Sequence, residues 1–224
     1  ARNTMGAAGV PEADMENTPE YVPGATRMRS PATARLQALV SDLLTLSKLE
    51  GSPTPSLAES VPVHTLLDQC EQDARALMQI GIAKHAQPLR LRFNYASEPD
   101  GQAVLLGNST ELLSAMGNLV NNAVRYTPAG GAVDVHWAVL RDGRGELNVV
   151  DTGPGIAPEH LPRLTERFYR VDRSRSRDTG GTGLGLAIAK HVAQRHGGEL
   201  KVTSVVGQGS TFTLTIGAVR VRVV

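Results

Sequence analysis

A chain of 224 residues has room for one large domain, or for one of about 150 residues with an extension, and 41% apolar with 20% charged residues is ordinary globular composition. A formal net charge of +1 excludes a general electrostatic case for nucleic acid or an anionic surface as partner, so any positive field is local. The single cysteine, Cys70, excludes an intrachain disulfide framework and a cysteine-rich metal site, and reads as a buried small hydrophobe in a reducing compartment.

In chain order, residues 1–32 carry Pro11, Pro19, Pro23 and Pro31 with scattered glycine and no sustained periodicity, and read as a poorly ordered segment. Over 33–52 the pattern changes: Leu36, Leu39, Leu43 and Leu46 recur at three and four, flanked by Val40 and Leu44. That spacing predicts an amphipathic helix with a wide apolar face, covered either by a helix of a second chain or by its own domain; pattern alone fits both. Residues 53–60, "PTPSLAES" from 53, form a linker to a single domain over 61–224.

Within that domain the periodicity predicts a helix over 62–79, strands over 89–95 and 103–107, and a helix to Tyr126 capped by Asn108 or Ser109. Strands over 131–140 and 145–151 form a hairpin around "RDGRG", and "PEHLPRL" is a short helix. A helix over 184–196 closes on Gly197 and Gly198, and a last strand pair surrounds "GQG". Helices interleaved with hairpins predict an α/β fold, a two-layer sandwich with a mixed sheet and helices on one face. No apolar run approaches the roughly 18 residues of a membrane span and nothing at the start resembles a signal peptide, so this segment reads as soluble. It begins at Ala1 rather than methionine, as a piece of a longer protein would.

Three places carry chemistry. On the helix ending at Tyr126, Leu112, Met116, Leu119 and Ala123 mark the buried side, and Glu111, Asn118 and Asn122 lie within about 40° of one another on another face. Asparagine at successive turns is a helix-propensity liability; it fits solvated side chains, one of them capping a neighbouring loop, or amide oxygens offered to a hard cation such as Mg²⁺. Next, Asp151 ends an apolar strand and is followed by Gly153 and Gly155, which reads as an Asp-led turn or as a carboxylate beside a closely approached ligand. Such a group accepts a hydrogen bond from an exocyclic amine and selects adenine over guanine. Finally, Gly180, Gly181, Gly183 and Gly185 open into a helix, a natural phosphate site that matches neither the Walker loop nor the dinucleotide fingerprint. Before it, Arg167, Arg170, Arg173, Arg175 and Arg177 form either a solvated basic loop or a lid over phosphates, with Phe168 and Tyr169 as its hinge pins.

These stretches together resemble the sensor histidine kinases, whose ATP-binding domain has the Bergerat (GHKL) fold. "NLVNNAVRYTP" is similar to the N box, "DTGPG" to the G1 box, "ERFYRVD" to the F box, "GTGLGLAI" to the G2 box and "GQGSTFTLTI" to the closing strand pair; "LQALVSDLLTLSKLE" resembles the second dimerisation helix, so 33–52 would be a partial dimerisation helix. The resemblance implies ATP and Mg²⁺ as cofactors, with Asn122 on the metal, Asn118 beside it on the metal or the phosphates, Arg125 on phosphate and Tyr126 against adenine. Asp151 would bind the adenine amine, Gly153 and Gly155 would shape the pocket, and Arg170, Gly181, Gly183, Leu184 and Gly185 would hold phosphates. Ile156, Phe168, Tyr169, Thr182, Leu186 and Thr211 complete the implied set, with Asn118, Asn122 and Arg170 as its catalytic members.

Related ATPases place a glutamate general base where this chain has Asn118, and an amide cannot take a proton from water, so hydrolysis should be slow. The resemblance implies transfer of the γ-phosphoryl to a histidine and then to a response regulator, in a full-length homodimer anchored in the bacterial inner membrane with this part on its cytoplasmic face. His64, His85, His136, His160, His191 and His196 all lack the acceptor's His-Glu-x-Arg-Thr-Pro setting, so each reads as a surface or packing histidine, and the acceptor is expected outside this sequence. A Bergerat-fold ATPase of another kind, or a nucleotide-binding module without turnover, is the alternative.

Overall fold

The computed structural model describes residues 31–82, 88–95, 102–171 and 181–223. The chain divides into two units, 1–30 and 31–224, and everything described belongs to the second. The expectations for 1–30, His85, Gly180, Arg173, Arg175 and Arg177 lie outside the described residues.

Helix α1 (Pro31–Gly51) leads through an extended stretch to β1 (Ser60–Pro62) and α2 (Val63–Ile82). Then come β2 (Arg90–Asn94), β3 (Ala103–Leu106), α3 (Ser109–Tyr126), β4 (Ala132–Val139) and β5 (Gly145–Asp151). A 3₁₀ turn (Pro158–Arg163), α4 (Gly185–Arg195), β6 (Leu200–Val205), β7 (Gly209–Ile216) and β8 (Val221–Val223) complete the order. Among the described residues no helix is long and apolar enough to cross a membrane.

The main sheet runs β2-β4-β5-β7-β6, with β2 parallel to β4 and the remaining pairs antiparallel, so it is mixed as the alternation of hairpins and helices requires. Its two faces follow from period-two alternation. Val133, Val135, Trp137, Leu147, Val149, Phe212 and Leu214 are buried beneath the helices. The opposite face is polar, with Thr213 donating to Asn148 at 2.6 Å and Arg92 paired with Asp134 at 2.5 Å. On α3, Leu112, Met116, Leu119 and Ala123 are buried as their spacing predicts, and each fully buried large side chain contributes about 2 kcal/mol. Asn108 caps the helix, its side-chain oxygen accepting from the Glu111 N–H at 3.0 Å. At the end of α4, Gly198 N–H donates to Ala193 O at 2.9 Å and Gly197 N–H to Gln194 O at 3.1 Å, a Schellman closure. Cys70 is buried, and burial pushes its thiol up to about 12, consistent with a packing role.

A second, three-stranded sheet, β1-β3-β8, was not legible in the sequence. It closes against the helices beside the main sheet through Val61, Leu105 and Val221, all buried.

Helix α1 packs on its own domain only in part. Leu46 and Leu49 are buried in the domain's own core, whereas Leu36, Val40, Leu43 and Leu44 stay exposed. Its last turn is fastened by Arg195 of α4, which donates to the carbonyls of Leu49, Ser52 and Pro53 at 2.7–2.9 Å while gripping both oxygens of Glu111 at 3.0 Å. His196, beside this cluster, is fully buried with Nδ1 2.9 Å from Val192 O, and burial pulls its pKa down. Replacing Arg195 by methionine removes every one of those donors and leaves a half-buried carboxylate at position 111. We expect Arg195→Met to lower unfolding stability by about 3 kcal/mol in a denaturant titration. A loss below about 1 kcal/mol would show that the cluster is not a structural anchor.

Candidate functional site

Strand alternation and helix phase converge on one end of the sandwich. Asp151 is the last residue of β5 and lies on the same face as Leu147 and Val149, so its carboxyl enters the space beneath the helices rather than solvent. Its cross-strand partner on β7 is Ser210, also buried. Burial raises the Asp151 pKa, and the backbone N–H groups of Gly153 and Ser210 oppose that rise; Gly153 donates to Oδ1 at 2.8 Å. The carboxyl is thus held in place by backbone, 6% exposed, at the floor of a cavity of about 570 Å³.

Above it, α3 presents Asn118, Asn122, Arg125 and Tyr126 to the same cavity. Glu111 lies on the same stripe two turns earlier and is taken by Arg195, so one polar face serves two purposes. Asn118 donates its amide N–H to Ser114 O at 2.8 Å, which turns Oδ1 toward the start of α4. A Cβ at Gly185 would overlap that oxygen, so a side chain there would have to displace the Asn118 amide. At the opposite wall Gly155 has φ +71° and a Cβ there would run into the Val205 carbonyl. The turn around it is braced by Ile156 N–H to Ser204 Oγ at 2.8 Å and Gly207 N–H to Pro154 O at 2.8 Å.

The remaining wall is the glycine segment. Gly181, Thr182, Gly183, Gly185 and Leu186 line the cavity, and α4 starts at Gly185 with no side-chain cap, leaving first-turn N–H groups for a ligand. Tyr169 and Arg170 line it too. Tyr169 is fixed by its hydroxyl 2.7 Å from His160 Nδ1 and by the Arg163 guanidinium 4.3 Å over its ring. Ile156, Leu164 and Phe212 supply apolar surface near Asp151.

Of the residues singled out in the sequence, Asn118, Asn122, Arg125, Tyr126, Asp151, Gly155, Ile156, Tyr169, Arg170, Gly181, Thr182, Gly183, Gly185 and Leu186 share this cavity. Gly153, Phe168, Leu184 and Thr211 do not line it. Gly153 acts from behind, on Asp151. Leu184 is fully buried in the core, so only its backbone faces the segment. Phe168 is 57% exposed with φ +61°, a conformation costing on the order of 1 kcal/mol in a non-glycine residue, and its N–H donates to Gly183 O at 2.9 Å. It therefore ties the aromatic segment to the glycine segment through backbone. Thr211 points to the opposite sheet face from Asp151, and Ser210 stands in its place. Alternation counted back from Phe212 would have found Ser210. Asn121 and, from α1, Ala38 and Asp42 also line the cavity and were not anticipated.

Among the described residues no group of three or more His, Cys, Asp or Glu could hold a metal. The donor set instead offers amide oxygens beside a helix start. That fits a hard cation sharing its ligands with phosphate and water rather than one caged by carboxylates.

The phosphate regulon sensor protein PhoR of Pseudomonas aeruginosa is 46% identical over 195 residues, covering 87% of this chain and 41% of that protein. The sensor histidine kinase RppB of Synechocystis is 40% identical, covering 85% of this chain and 40% of that protein. The chain therefore spans about two fifths of the length of these curated relatives. Among solved structures, full-length ShkA in complex with AMPPNP aligns with a TM-score of 0.66 at 27% identity, over 86% of this chain and 38% of that one. The mycobacterial sensor histidine kinase MprB aligns at 0.59 with 26% identity, over 74% of this chain and 99% of that one. A family model covers residues 107–220, the span that carries α3, Asp151 and the glycine segment. With mixed sheet, cavity and matched span in agreement, the chain belongs to the histidine kinase-, DNA gyrase B-, and HSP90-like ATPase family.

Proposed function

We propose that this chain is the ATP-binding catalytic part of a two-component sensor histidine kinase, and that the cavity binds Mg-ATP. The observation that carries the reading is one cavity lined together by a buried carboxylate, asparagine amides and an uncapped helix start. Asp151 accepts from the adenine amino group, with Tyr126 against the ring and the Gly153–Gly155 turn shaping the pocket. Phosphates lie along the backbone of Gly181, Gly183, Leu184 and Gly185, with Arg125 and Arg170 neutralising them. Asn122 and Asn118 give amide oxygens to Mg²⁺, which supplies charge stabilisation to the phosphoryl group.

No carboxylate occupies position 118, and the chain at that point can orient but not deprotonate water. The γ-phosphoryl is thereby kept for a histidine: its P–O bond to ADP breaks as a P–N bond to imidazole forms, and positioning and charge do most of the work. The phosphoryl group then passes to an aspartate of a response regulator. The whole protein is a membrane-anchored homodimer with this part in the cytoplasm, and the PhoR likeness favours phosphate limitation as its signal.

The test mixes the chain with γ-labelled ATP, Mg²⁺ and a separately supplied dimerisation domain. Acid-labile, base-stable label on that domain is expected, with little free phosphate. Rapid phosphate release by the chain alone would instead indicate an ATPase of the chaperone kind.

A further inference from the structure

Helix α1 lies outside the family-model span, yet it reaches the cavity. Asp42 and Ala38 form part of its wall. The Asp42 carboxylate accepts a hydrogen bond from the Thr182 hydroxyl at 2.6 Å, and the Thr182 oxygen in turn accepts from the Leu184 N–H at 3.2 Å. A negative side chain is thus hydrogen-bonded to the segment whose geometry suits anions.

The two halves of α1 are held differently. Its C-terminal half is fixed by buried Leu46 and Leu49 and by the Arg195 clamp on the Leu49 and Ser52 carbonyls. Glu50 adds an ion pair to Arg167, in the aromatic segment beside the cavity. The half before Asp42 presents Leu36, Val40 and neighbouring Leu43 to solvent at 62%, 49% and 45%. Leu39, partly buried against the core, is the apolar contact this half shares with Leu46 and Leu49.

We propose that Asp42 is an affinity-setting residue of the nucleotide site: its carboxylate competes with the nucleotide's phosphates for the Thr182 segment. Like charges brought into one partly enclosed cavity repel, so phosphates entering along Gly181–Gly185 weaken the Asp42–Thr182 bond, and the bond weakens phosphate binding by the same factor. Nucleotide entry therefore loosens the first half of α1 while its second half stays docked. This rests on the reading of the cavity as a nucleotide site.

The experiment compares the wild-type chain with Asp42→Asn. Asparagine keeps an oxygen that can accept from Thr182 and removes only the charge. Titration with a fluorescent ATP analogue and Mg²⁺ is expected to give about tenfold tighter binding for the variant, a gap that narrows as salt is raised. Hydrogen exchange gives the reciprocal readout. Adding the nucleotide should speed exchange over residues 35–44 of wild type and leave that region of Asp42→Asn unchanged. Equal or weaker binding by the variant, or an α1 indifferent to nucleotide in wild type, overturns the proposal while the nucleotide site stands. A wild-type chain that binds no nucleotide overturns both.

Discussion

Asp151→Asn should weaken binding of a fluorescent ATP analogue about 100-fold while the thermal midpoint moves by no more than about 3 °C. The two halves of that expectation come from different atoms. Asn keeps an oxygen able to accept from the Gly153 N–H, and it removes a charge that burial disfavours, so the local turn retains its support. What changes is the group offered to the ligand. An amide N–H₂ in place of a carboxylate oxygen sets donor against the adenine amine, and two buried donors then face each other without an acceptor. Titration of both chains, with melting curves alongside, decides it. An affinity within about threefold of wild type would remove Asp151 from the base-binding role.

Asn122→Ala should cut transfer of label to a separately supplied histidine acceptor by at least about 1,000-fold, with nucleotide affinity falling far less. Asn122 is half-buried on the cavity side of α3, and alanine is the better helix former by several tenths of a kcal/mol. The variant therefore folds at least as well as the parent, and any loss belongs to the chemistry. Single-turnover transfer measured at saturating Mg-ATP separates the rate from the affinity. Normal transfer by the folded variant would strike the amide from the metal-binding set.

The long elements were readable because each carries its own period. The α3 stripe of Leu112, Met116 and Leu119 is a local fact, and the structure buries it as counted; the strand pair around "GQG" is equally local, and its Phe212, Leu214 and Ile216 are buried. β1 and β8 were invisible for the opposite reason: Ser60–Pro62 and Val221–Val223 are too short to show a period, and each exists only because β3 lies between them. In the cavity, residues fixed by a strand end or a helix face were legible, as Asp151 and Asn122 illustrate. Residues whose position depends on distant pairing were not. Asp42 meets Thr182 across 140 residues of sequence, and Arg195 meets the Leu49 carbonyl across 146. Nothing in the neighbourhood of either announces the other.

Helix α4 joins the cavity to the foot of α1. Its first residue, Gly185, stands in the cavity wall and its last, Arg195, grips the elbow where α1 turns into the extended chain. Eleven residues make a strut of about 16 Å, and Ile188, Ala189, Val192 and Ala193 bed it in the core along its length. A helix bedded along its whole length resists tilting, so the elbow keeps its place while the glycine end meets a ligand. The cavity wall and the foot of α1 therefore share one structural element.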